Sequence, residues 1–137
     1  MELNLTHPPT PEHAPTHAAD IVKLAKLIHG VDLDYSPASL ENIDQILQQF
    51  SDGGSTVADL GETLFAIGCY VGEVLVRHLQ GIWRNTSDTA LASVGGFPIV
   101  VELPNQRLAN PIHRVFSRLE KGDVDSIARY YTMIAEA

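Results

Sequence analysis

The chain has 137 residues and a mass of 14.9 kDa, the size of one domain, and its 45% hydrophobic and 19% charged residues exclude a disordered or membrane-embedded composition. Nine Lys and Arg against 17 Asp and Glu give a net charge of −8, which disfavours nucleic acid as a partner and favours a basic protein or cationic ligand. The single cysteine, Cys69, excludes an internal disulfide and any multi-cysteine metal site.

Residues 1–15 carry Pro8, Pro9, Pro11 and Pro15 among polar residues, which predicts a flexible Pro/His-rich arm ahead of a single compact domain over 16–137. Ile21, Leu24, Ala25 and Ile28 recur with helical spacing and Gly30 follows as a left-handed cap, predicting a helix over 17–29. Val31 to Tyr35 alternates like a short strand. Ser36 and Pro37 supply a cap and first-turn proline for a helix over 37–50, whose apolar face is Leu40, Ile43, Leu47 and Phe50. After the loop 51–55, Leu60, Leu64, Ile67, Val71, Val74 and Leu75 mark a long central helix over 56–79, with Gly81 as its end.

The period then changes. Residues 82–85 and 90–94 read as short strands, Gly95-Gly96 as a hairpin turn, and 97–103 as the best strand, with Pro98 placing its start at an edge. Residues 105–110 read as loop. Asn110 and Pro111 then open a helix that Gly122 stops, and Asp123 is the expected cap of a fifth helix bearing Val124, Ile127, Ala128, Tyr131 and Ile134. The fold class is α+β: about five helices with a small, mainly antiparallel sheet.

The longest apolar stretch, Thr63 to Gly72, is too short to cross a bilayer, which takes ~20 residues as helix. The N-terminus also lacks the pattern of a secretory signal, so a cytoplasmic location with no membrane partner is expected.

Glu73 follows that stretch directly, within the apolar part of the central helix, and a buried carboxylate needs a partner. Arg77 at i+4 and Tyr70 at i−3 are its local candidates. Such a group serves as a general acid or base, or more simply as half of a structural ion pair. Asp32 and Asp34 form a pair suited to a cation or guanidinium; the plainer reading gives Asp34 a capping role and leaves Asp32 solvated. His13 and His17 have i, i+4 spacing, yet Pro15 lies between them, and no metal or other cofactor is assigned. Cys69 has no thiol-enzyme motif around it and reads as a small hydrophobe. Gly68 and Gly72 permit close approach of another segment, and Trp83 is either a partner-facing anchor or core.

The segments D-Y-S-P-A-S-L-E-N-I-D (34–44), G-C-Y-V-G-E-V-L (68–75), G-I-W (81–83) and R-L-E-K-G-D-V-D-S-I-A-R-Y-Y (118–131) occur in that order. This set resembles a group of small uncharacterised bacterial α+β proteins. The resemblance implies a bacterial origin and a polar cluster at Asp34, Ser36, Tyr70, Gly72, Glu73 and Trp83, and implies no activity.

Three functions remain in competition. A non-enzymatic interaction module, such as an immunity-type protein binding a basic partner, fits the acidity and the lack of catalytic motifs. A small-molecule binding or hydrolytic domain would use Glu73, Tyr70 and Asp34, with Arg77 and Trp83 beside them. A structural subunit or homodimer would associate through the central helix or a sheet edge, so the expected state is monomer or homodimer.

Overall fold

The longest apolar segment folds as the helix Val57–Leu79 (α3), around which the rest of the chain is arranged in a computed structural model describing residues 5–93 and 96–137. Before it come α1 (Ala14–Leu24, extended by a π-helical turn over Ala25–His29) and α2 (Leu40–Asp52); after it come β1 (Ile82–Asn85), β2 (Ile99–Glu102), β3 (Leu108–Ala109), α4 (Pro111–Lys121) and α5 (Ile127–Glu136). The fold is α+β, with five α-helices and a three-stranded antiparallel meander in the order β1-β2-β3. Trp83 opposes Val101, and Val101 opposes Ala109, so these three side chains share the buried face.

Thr56 caps α3 by a reciprocal box: its hydroxyl accepts from the Asp59 amide, and the Asp59 carboxylate accepts from the Thr56 amide at 3.1 Å. The other end closes on Gln80, which takes the left-handed conformation at φ 60°. Gly81 therefore has a different task from the helix stop expected of it. A Cβ there would lie 2.6 Å from Val101, so the glycine lets β2 close against the end of α3. Gly68 and Gly72 act similarly. A Cβ on Gly68 would meet the Ile112 backbone at 2.6 Å, and one on Gly72 would meet the Trp83 ring at 2.1 Å. One glycine seats α4 and the other seats the sheet.

Several boundaries differ from the expectations. The first helix starts at Ala14, and the preceding Pro11–His13 form a 3-10 turn continuous with it that lies against β1. His17 is buried and donates from Nε2 to the Pro8 carbonyl at 3.1 Å, holding the proline-rich segment down. Ile28 leaves the core stripe and is exposed, because the last turn is wound as a π-helix. Residues 31–35 form no strand: Asp32 pairs with Lys26, and Tyr35 sits at φ 65°, which no extended ladder accommodates. Ala90–Ser93 are a turn rather than a strand, while Val94 and Gly95 lie outside the described residues. Residues 108–109, expected as loop, pair with β2.

The cap of α5 is Ser126 and not Asp123, and Val124 falls in the preceding 3-10 turn with an exposed side chain. Asp44 of α2 supplies the reason. Its carboxylate accepts from the amides of Ile127 and Ala128, from the Ser126 hydroxyl and from Nε of Arg118, all at 2.8–3.0 Å. Arg118, 3% exposed, also reaches the Asp44 carbonyl and Gln48. One carboxylate thus ties α2, α4 and α5 together and compensates a buried guanidinium.

Two predictions follow from these contacts. Gly72→Ala drives a methyl group into the Trp83 ring and is expected to destabilise the fold by about 1–3 kcal/mol or more, read by urea denaturation. The second concerns acid. Hydrogen bonds from Thr56 hold Asp59 below the ordinary carboxylate value of 3.8, and the Ser117 hydroxyl, then Arg114, does the same for Asp125. Groups with lowered folded-state pKa values stabilise fully above 3.8 and lose that contribution as pH falls through the folded values. The wild-type urea midpoint should therefore fall below about pH 4, and fall less in Asp59→Asn and Asp125→Asn.

Candidate functional site

The five residues singled out from sequence lie on one face of α3 and the segments packed against it. Glu73 is 5% exposed and both its oxygens are engaged: Trp83 donates from Nε1 to Oε2 at 2.9 Å, and Arg77 approaches Oε1 at 3.5 Å. Trp83 reaches Glu73 because Gly72, one residue before it, leaves room for the indole. The tryptophan is a core residue with its one polar atom satisfied, not an exposed anchor.

Arg77 turns its guanidinium from Glu73 over the ring of Tyr35, with Cζ 3.6 Å from the centroid. The same ring stacks with that of Tyr70, the centroids 4.8 Å apart. The Tyr35 amide donates to the Tyr70 hydroxyl at 2.8 Å, and His78 donates from Nε2 to the Tyr35 carbonyl at 2.9 Å. These contacts on backbone and ring hold a non-glycine residue at φ 65°, a conformation that costs about 1–3 kcal/mol where surroundings do not fix it. Nothing local in the sequence marks Tyr35 for the left-handed region or pairs it with His78.

The Tyr70 hydroxyl is committed in both directions. It accepts from Tyr35 and lies 2.6 Å from Ser39 Oγ, which itself donates to the Ser36 carbonyl at 2.6 Å. The proton order is therefore Tyr35 amide to Tyr70 to Ser39 to Ser36, a chain whose bonds reinforce one another. Burial raises the pKa of Tyr70, which keeps it a neutral donor.

Asp34 is exposed and touches the network only through Ser36, whose side chain and amide hold its carboxyl below 3.8. It shares no contact with Glu73. The cluster is thus continuous from Asp34 to Trp83, but its acidic ends are separate and Glu73, Tyr70 and Trp83 face inward. Four clefts elsewhere on the surface are lined by none of these residues.

The other chemical candidates are placed apart. Cys69 is fully buried, and burial followed by the nearby Glu73 charge pushes its thiol pKa up, which suppresses the thiolate. His13 bonds Thr10, His17 bonds Pro8, and His7 donates to Asp20 at 3.1 Å. Among the described residues no group of three or more His, Cys, Asp and Glu could hold a metal ion. No helix among them is long and apolar enough to cross a membrane.

Glu73→Ala leaves the buried Trp83 N–H without an acceptor and is expected to cost about 1–3 kcal/mol, with Glu73→Gln costing less because its carbonyl still accepts. Urea denaturation followed by emission of Trp83, the only tryptophan, reads both directly.

No curated protein and no solved structure matches the chain. A family profile matches residues 17–103, which run from within α1 to just past β2 and contain all five of these side chains. The chain belongs to a family of unknown function (DUF6278).

Proposed function

We propose that this chain is a non-enzymatic protein-interaction module that meets a basic partner through its carboxylates, as an immunity-type protein does. The observation that carries this reading is the distribution of charge. Lys26, Arg77, Arg84, Arg114, Arg118 and Arg129 each lie within ion-pair distance of a carboxylate. Arg107 donates to the Ile134 carbonyl, which leaves few cations to offset the surface. Glu12, Glu41, Asp52, Asp59, Glu62, Asp88, Glu120 and Glu136 are exposed, with no lysine or arginine in ion-pair reach among the described residues. A surface biased in this way steers a cationic partner and repels phosphate.

The reading includes a bacterial, cytoplasmic setting, where a buried and reduced Cys69 is at home. It also takes the ordered Asp-x-Ser, Gly-x-Tyr-x-Gly-Glu and Gly-x-Trp landmarks as a signature of the Tyr35–Tyr70–Glu73–Trp83 arrangement. Hydrolysis or small-molecule binding through Glu73, Tyr70 and Asp34 has less support, because the polar atoms of Glu73 and Tyr70 are already occupied by the chain itself.

The test is kinetic. With the partner captured by tagged protein from lysate of its own source, the association rate should fall about tenfold or more as salt rises from low to high ionic strength. Glu41→Gln, Glu62→Gln and Glu120→Gln together should slow association and leave dissociation nearly unchanged. An association indifferent to salt and to these substitutions, or a hydrolytic activity lost in folded Glu73→Gln, would overturn the reading.

A further inference from the structure

We propose that the cleft between α1, α3 and the segment 5–7 binds a short aliphatic diamine, with its two ammonium ends on Asp20 and Glu62. The cleft has a volume of about 310 Å³. His17, Asp20 and Ile21 line it from one face of α1, at i, i+3 and i+4, while Glu62 and Ala66 line it from α3 at i and i+4. Leu5 and His7 close one side. Of the four clefts among the described residues, this one alone combines two carboxylates with no lysine or arginine.

Both carboxylates are free to meet a cation. His7 donates from Nε2 to Asp20 at 3.1 Å and stands edge-on to His17, which orders the Asp20 side chain. Glu62 has no lysine or arginine in ion-pair reach among the described residues. Independently of these charges, His17 supplies an unused acceptor. It is 4% exposed, and its Nε2 carries the ring proton because it donates to the Pro8 carbonyl at 3.1 Å. Nδ1 is therefore an open lone pair. It has no hydrogen-bond partner among the described residues, and no sealed polar side-chain atom among them goes without one, so Nδ1 opens onto the cleft that His17 lines. An acceptor left open on so buried a side chain calls for a donor.

The lining selects the ligand. Asp20 and His17 Nδ1 on the α1 wall and Glu62 on the α3 wall all accept hydrogen bonds, which suits ammonium N–H groups and excludes an anion. These side chains form no group that could hold a metal ion, so one small ion does not satisfy both walls. The buried Ile21 and Ala66, with Leu5, add apolar surface that a bare ion leaves uncovered. A chain of methylenes covers such surface while its charged ends stay on the carboxylates. A single ammonium, such as a lysine side chain offers, leaves one wall unpaired.

The test is an NMR titration of the full chain with 1,4-diaminobutane at low ionic strength, followed through backbone amides and histidine ring nitrogens. Saturable shifts at Asp20, Glu62 and His17 Nδ1 are expected, with a Kd of about 1 mM or tighter. Butylamine and Mg²⁺ at matched ionic strength should bind about tenfold more weakly or worse, the first for want of a second charge and the second for want of a stem. Glu62→Gln and Asp20→Asn should each weaken the diamine by about tenfold with an unchanged thermal melt, since both side chains are exposed. Butylamine binding as tightly as the diamine overturns the proposal, because the cleft then takes a lone ammonium. Equal shifts with Mg²⁺, no saturation up to about 20 mM, or a Kd indifferent to both substitutions overturn it as well. The titration uses no protein partner, so it stands or fails independently of the interaction reading.

Discussion

The absence of two side chains on α3 sets the distances on which the molecule depends. Gly68 and Gly72 lie one turn apart on one face of the helix, and each admits a group that any Cβ would exclude. At Gly68 that group is the backbone of Ile112 in α4; at Gly72 it is the indole of Trp83 in β1. Helix and sheet are thereby fixed against the same helix, and neither approach tolerates a methyl group without displacement. Trp83 fixes its indole N–H against Glu73, Glu73 holds Arg77, and Arg77 covers Tyr35. A steric vacancy on α3 thus becomes an ordered polar surface at Arg77 and Tyr35, the next turn of the helix.

That sequence of contacts changes the meaning of a carboxylate in an apolar helix. Read from sequence, Glu73 has apolar flanks, a tyrosine at i−3 and an arginine at i+4, which suit a general acid or base or, more simply, half of a structural ion pair. In the folded chain the tyrosine serves a different network, and the partner that completes Glu73 is a tryptophan ten residues later. With one oxygen on Trp83 and the other facing Arg77, the carboxylate is better described as the link that holds the sheet's aromatic residue to the helix. Nor does Asp34 join it, since the Ser36 turn directs that charge outward.

Local signals decide the structure wherever the chain satisfies itself within a few residues. Asn110 and Pro111 open α4, Ser36 caps the turn that leads into α2, Gly30 closes α1, and the Gly68/Gly72 spacing announces close packing. Two of the departures from expectation arise where the deciding group lies far away in sequence, and a third arises from local turn bonds. Asp44 takes up the first amides of α5, so Ser126 rather than Asp123 begins that helix. Tyr35 is held left-handed by Tyr70 and His78, so the alternation over 31–35 makes no strand. The segment 90–93 has apolar residues suited to a strand, yet Thr89 and Thr86 hold it in turns, and Thr86 instead bonds Phe97 and Pro98 to lead into β2.

The same logic separates the interior from the surface. Polar groups inside the molecule have consumed one another: Glu73 with Trp83, Tyr70 with Ser39, Asp44 with Arg118. What the chain presents outward is therefore what its own ion pairs have not neutralised, chiefly carboxylates, together with the leucine and isoleucine exposed by the π-helical turn. These surfaces answer to different physics. Carboxylates act at a distance, over roughly the ~8 Å that physiological salt allows, and govern how fast a cationic partner arrives. The apolar ridge acts only on contact.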